Sequence, residues 1–169
     1  MLSTAKHFPG LGGASSNENT DVLPVTINFT ASTLRSTDMF PYQSAIKNAQ
    51  VELIMPSWAL YPALDTTYPS GLSRKILQGE LRSRLGFAGV TVSDAIEAGA
   101  LRSFGNDEQR SVLAARAGMD IILASGRNAT QGPAIARALA AAYDSGSLNK
   151  TEFQQAVSRV KTLRAKISA

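Results

Sequence analysis

The sequence predicts an α/β protein, a parallel sheet made of repeating βα units, on three observations. Four short strand-like segments, near residues 5, 53, 92 and 121, are separated by helix-like segments. One of them, Met119–Leu123, carries an apolar run that suggests cover on both faces. Another, Val90-Thr91-Val92, delivers Ser93 and Asp94 to its carboxyl end, the end at which parallel α/β proteins carry their chemistry. A carboxylate there can be a nucleophile, a base or a metal ligand. It can also simply cap the turn that follows, and this stretch alone leaves the two roles open.

Taken in order, Ser3–His7 reads as a brief strand that runs into the turn Phe8-Pro9-Gly10-Leu11-Gly12-Gly13. Residues 14–24 are too rich in Ser and Asn for a core element and form a long polar loop, a kind that is usually functional. Val25–Thr30 is expected to be extended. A helix is expected from Asp38, as its cap, through Asn48. Val51–Met55 is the second strand, stopped by Pro56 and followed by a loop holding Trp58, Tyr61, Pro62 and Asp65. Ser73–Leu85 has Ile76, Leu77, Leu81 and Leu85 at helical spacing, with Gly86 as its stop. After the strand that bears Asp94 come a helix over Asn106–Ala117, the strand Met119–Leu123, an Ala-rich helix over Gly132–Tyr143 and an amphipathic helix over Lys150–Ile167. Phe153, Val157, Val160 and Leu163 form the apolar stripe of the last.

Composition narrows the function. With 169 residues, 44% hydrophobic and 18% charged, one core and one domain over 1–169 are expected. The net charge is +4, but no run of Lys or Arg and no basic stripe interleaved with aromatics supports a nucleic-acid partner. There is no cysteine and a single histidine, so thiolate chemistry is excluded and neither metal nor cofactor is expected. The first residues lack a signal-peptide pattern and no apolar run approaches the roughly 20 residues of a membrane span. No membrane partner is expected, and the cytoplasm is the default for the chain as given, although a parent protein could be secreted. A phosphate-binding α/β protein is disfavoured, since Gly10-Leu11-Gly12-Gly13 does not lead into an evident helix.

Lys6-His7-Phe8-Pro9-Gly10-Leu11-Gly12 resembles the Lys-His-Phe-x-Gly-x-Gly motif of family 3 glycoside hydrolases, especially their bacterial β-N-acetylglucosaminidase branch. Met55-Pro56-Ser57-Trp58-Ala59-Leu60-Tyr61-Pro62 is similar to that branch's Met-x-x-His-x-x-Tyr-Pro, and Leu85 to Asp94 to its Leu-Gly-Phe-x-Gly-Val-x-x-Ser-Asp. Ala117-Gly118-Met119-Asp120 and Ser158–Arg164 are similar to the approach to its last barrel strand and to its closing helix. The resemblance keeps order and spacing along nearly the whole chain. It implies the C-terminal half of a (β/α)8 barrel, strands five to eight, and a retaining glycosidase acting on β-linked sugars of the N-acetylglucosamine type. Asp94 would then be the catalytic nucleophile, with Lys6 and His7 binding sugar hydroxyls. A cation and an imidazole beside a carboxylate also keep it ionised.

The chain departs from the pattern where the branch carries an Asp-x-His pair as acid/base, because Asn17 and Asn19 stand there and neither amide titrates. Glu18 and Asp21 of the same loop are candidate replacements. Trp58 replaces a loop histidine and can either stack on a sugar face or pack. Only four strands are evident, where a closed barrel has eight and typically about 250 residues. The strands near residues 5 and 121 should therefore be open edges, and self-association, as a homodimer closing an eight-stranded barrel, is expected. Little or no activity is expected of the half-barrel alone. A non-catalytic sugar-binding or assembly module is the alternative.

Overall fold

In a computed structural model of the chain, residues 2–49 and 51–167 are described. Four strands, β1 (Thr4–Phe8), β2 (Leu53–Pro56), β3 (Val90–Ala95) and β4 (Ile121–Leu123), form one parallel sheet in the order β1-β2-β3-β4. Ala5 pairs with Ile54, Ile54 with Thr91, and Val92 with Ile121. Within this sheet β1 and β4 are the edges, as expected of the strands near residues 5 and 121.

The crossovers are helical. A short turn α1 (Ala31–Thr33), capped by Thr30, leads through a wider turn at Leu34–Asp38 into α2 (Phe40–Asn48). Asp38 does not cap α2 as expected. It lies inside the preceding turn and its side chain is packed beside Gly10, where a Cβ would come within 2.7 Å of Asp38 Cβ. The third helix, Lys75–Arg84, is wound more loosely than an α-helix, and Ser73 Oγ accepts the Ile76 N–H at its start. Then follow α3 (Asp107–Ala117), α4 (Gln131–Asp144) and α5 (Lys150–Ala165). Asn106 and Gln109 form a reciprocal capping box on α3, and Gly118 ends it in the left-handed conformation (φ 102°), open to glycine at little cost. Val25–Thr30 is only sparsely paired: Ile27 N–H donates to Leu60 O and Leu60 N–H to Val25 O.

The core lies between the sheet and these helices. Phe8, Ile54 and Ile96 from the sheet side meet Leu34, Met39, Ile76, Leu77, Leu81 and Leu101, all with no exposed surface. Burying each such side chain is worth about 1.5–3 kcal/mol. Val90 and Val92 are also buried but stand outside that cluster, as do the half-buried Leu53, Met55, Ile121 and Leu123. Strand alternation puts these six on the opposite face, the inner layer of a barrel. The apolar stripe of α5 is only partly covered, with Leu163 buried and Val157 39% exposed.

Below the sheet, the Asp120 side chain is wholly buried. Its Oδ2 accepts from Arg82 Nη2 (2.7 Å), the Thr91 N–H (2.8 Å) and Thr91 Oγ1 (3.1 Å), and its Oδ1 accepts from Arg159 Nη2 (2.7 Å) and Nε (3.0 Å). Asp120 thus precedes β4 rather than belonging to it, and ties β3, the third helix and α5 together.

Candidate active site

Asp94 leaves β3 at its carboxyl end and is half-buried. Oδ1 accepts the Ala95 N–H at 2.8 Å, and Oδ2 lies 3.2 Å from His7 Nε2. The carboxylate caps no helix: the next helical turn, Gly99–Phe104, starts from Ala98 without a side-chain cap. The pKa of Asp94 is held below the usual aspartate value, first by the His7 hydrogen bond. Burial opposes this, and the Ala95 N–H and the charges of His7 and Lys6 reinforce it. Asp94 therefore stays ionised at neutral pH.

His7 and Lys6 stand at the tip of β1, two strands away. The peptides Lys6–His7 and Phe8–Pro9 are cis, and the pairing with β2 slips between Lys6 and Phe8, opposite Met55 and Pro56. The loop after β2 anchors this tip. Phe8 O accepts the Ser57 N–H (2.8 Å) and Ser70 Oγ (3.0 Å), and Tyr61 Oη donates to Gly10 O (2.8 Å) while bonding Ser57 Oγ (2.9 Å). Burial pushes the Tyr61 hydroxyl pKa well above its ordinary value, so it remains a donor. The same loop is set by Asp65, which accepts Ser73 Oγ (2.7 Å) and the Thr67 N–H (2.9 Å).

Trp58 takes the packing alternative. It is 1% exposed, its ring fills the space a side chain at Gly71 would need, and Nε1 donates to Ala95 O at 2.9 Å. Its face is not open for a sugar to stack on. Instead, it holds the residue that follows Asp94. Ser93 does likewise from the other side, with Oγ accepting the Leu123 N–H (2.9 Å) and donating to Asp94 O (2.7 Å).

Glu18 and Asp21 are both exposed on the polar loop. Glu18 Oε2 accepts the Ser15 N–H at 2.7 Å, and the Asp21 N–H donates to Asn19 Oδ1 at 2.8 Å. No hydrogen bond joins either carboxylate to Asp94 among the described residues.

Sequence reasoning missed a polar cluster beside this mouth. Glu97 accepts Ser125 Oγ (2.6 Å) and Gln131 Nε2 (3.1 Å), and the same Gln131 nitrogen donates to Asp107 (2.7 Å). Burial pushes the Glu97 pKa up, but the bonds from Ser125 and Gln131 outweigh it and leave the carboxyl below its usual value. The cluster joins the turns after β3 and β4. A lone Glu, Ser and Gln far apart in sequence gave no signal of it.

Among known proteins, residues 1–163 match the family described as Glycosyl hydrolase family 3 N terminal domain. The chain is 57% identical over 169 residues to an uncharacterized secreted glycosyl hydrolase of Arthroderma benhamiae, covering all of this chain and 48% of that protein. It is 37% identical over 124 residues to a beta-hexosaminidase of Psychromonas ingrahamii, covering 73% of this chain and 36% of the relative. The fold superposes on a family 3 β-N-acetylglucosaminidase from Paenibacillus sp. with a TM-score of 0.88 at 31% identity, covering 97% of this chain and 31% of the other. The chain thus spans about half the length of the first relative and about a third of the others. Among the described residues no helix is long and apolar enough to cross a membrane. With four βα units in parallel order and the family match running through all of them, the chain belongs to glycosyl hydrolase family 3, its fold a partial barrel of that family's N-terminal domain.

Proposed function

We propose that the chain carries the nucleophile half of a retaining glycosidase acting on β-linked sugars of the N-acetylglucosamine class, with Asp94 as nucleophile. The observation that carries this is the 3.2 Å contact of His7 Nε2 with an Asp94 carboxylate kept ionised at a strand's carboxyl end. In such a mechanism the Asp94 carboxylate attacks the anomeric carbon as the glycosidic C–O bond breaks, and the leaving oxygen takes a proton from a second group. Lys6 and His7 would bind sugar hydroxyls beside the attacking oxygen. Glu18 or Asp21 would supply the proton and later activate water. The hexosaminidase and acetylglucosaminidase names of the relatives support the sugar class.

A 2-fluoro glycoside with an activated leaving group tests the assignment, since it requires attack but little acid help. Mass increase mapping to Asp94, and lost in Asp94→Asn, is expected. No labelling, or labelling unchanged in the variant, refutes it.

A second reading, a sugar-binding or assembly module, is favoured by Asn17 and Asn19, which cannot shuttle protons where the family branch has its acid/base. Under either reading residues 1–169 act as one unit. We further propose that the open sides of β1 and β4 pair with a second copy to close an eight-stranded barrel, the isolated half being weakly active. Light scattering showing a monodisperse monomer at micromolar concentration would overturn that closure. The cytoplasmic expectation rests on the chain's own sequence, whereas the secreted Arthroderma relative supports a secreted parent protein.

A further inference from the structure

The polar loop at residues 14–24 is fixed to the turn that follows Asp94 by backbone hydrogen bonds. The Gly99 N–H donates to Asp21 O at 2.8 Å and the Ala100 N–H to Thr20 O at 3.0 Å, and both residues of the turn are buried. The approach is too close for a side chain. A Cβ at Gly99 would overlap the Val22 carbonyl and lie 2.9 Å from Asp21 O. The glycine is thus needed for space. On the loop side, Asn19 shapes the surface that docks: Oδ1 accepts the Asp21 N–H, and its carbonyl accepts the Val22 N–H (3.1 Å) and Leu23 N–H (3.0 Å). Asn19, which cannot titrate, thereby organises the turn that presents the Thr20 and Asp21 carbonyls.

We propose that Gly99 is a positioning residue that seats the acid/base-bearing loop over the nucleophile strand. Gly99 follows Asp94 by five residues on the same strand exit, so the seat sets the separation of Glu18 and Asp21 from Asp94. It touches no substrate and acts only through the loop. The inference rests on the reading of Asp94 as nucleophile and of the loop as the source of the proton.

Two measurements test the seat without reference to activity. On the unaltered chain, the Gly99 and Ala100 amides are expected to exchange with solvent at least about tenfold below unprotected rates, the protection that closed backbone hydrogen bonds confer. Exchange at the unprotected rate overturns the seat. In Gly99→Ala, a Glu-specific protease is expected to cut after Glu18 roughly tenfold faster, because the loop opens more often. Cutting after Glu80 and Glu152 should be unchanged, which shows that the variant is folded. Unchanged cutting after Glu18 in a folded variant overturns the proposal. The functional reading is then the leaving-group profile: Gly99→Ala should lose at least about tenfold more rate on poor leaving groups than on activated aryl glycosides, since only the former need the acid. Equal losses refute the positioning role. Should the unaltered chain fail to label at Asp94, the nucleophile reading falls, while exchange and proteolysis still decide the seat.

Discussion

Asp120→Asn should be among the most damaging single substitutions in this chain. The Asp120 side chain has no exposed surface and satisfies two guanidinium groups, whose own side chains are 13% and 23% exposed, together with the amide and hydroxyl of Thr91. The substitution keeps the shape but removes the charge, so Arg82 and Arg159 face each other across a neutral amide. Arg82 cannot retreat into water, and its Nε is already buried without a partner. Removing one member of a buried ion pair costs about 3–5 kcal/mol. With a urea m-value of about 2 kcal/mol/M, the unfolding midpoint should fall by about 1.5–2.5 M. Arg159→Ala leaves the Arg82 contact in place and removes the more exposed partner, so its cost should be smaller, about 1–3 kcal/mol. Urea unfolding followed by far-UV circular dichroism measures both. A cost below about 1 kcal/mol for Asp120→Asn would show that the triad is not a structural tie, and the argument for its anchoring α5 to β3 would fail with it.

Three further outcomes are expected. Trp58 is the single tryptophan and is 1% exposed, so the native emission should be blue-shifted and poorly quenched by acrylamide, and strong quenching would place the ring at the surface after all. Gly71→Ala forces a methyl into that ring and should destabilise by about 1–3 kcal/mol in thermal unfolding, whereas a neutral result would mean that the ring shifts freely. Asp94 should titrate below 3.8, its unperturbed value, and rise towards it in His7→Ala, as read by carboxyl carbon NMR. Because its folded pKa is depressed, the stability it contributes is present above the unfolded value and is lost as pH falls through the folded one. A His7→Ala variant with an unmoved Asp94 titration would remove the hydrogen bond as the cause.

The strands and most helices were legible because their signals are local. Val90-Thr91-Val92 and Met119–Leu123 carry runs that survive as β3 and β4, and the helix expected over Asn106–Ala117 is α3, with Asn106 as its cap. The family was legible for another reason, since Lys6, His7 and Asp94 sit in motifs whose order matches it, and the fold brings His7 and Asp94 into contact. What failed was whatever depended on distant neighbours. Asp38 looks like a cap by type, but the crowding of Gly10 against its side chain decides its place. Trp58 looks equally suited to a ligand or a core until Gly71 and Ala95 close over it. The Glu97–Gln131–Asp107 cluster and the Gly99 seat arise from parts of the chain brought together only by the sheet, so no window of sequence contains them.

Among the described residues the edge strand β1 pairs along one side only, yet it is pinned at both ends from that side. At its start Ser3 O accepts the Leu53 N–H and Ser3 Oγ donates to Glu52, and at its tip Ser57, Ser70 and Tyr61 secure Phe8 and Gly10. Alignment of the imidazole with the carboxylate two strands away is therefore inherited from the interior of the sheet and owes nothing to whatever lies on the open side. Closing the ring and aiming His7 at Asp94 become separable problems. A complement to this half-barrel could be exchanged, redesigned or supplied in trans, and it would have to bring walls, but not the alignment of these two side chains.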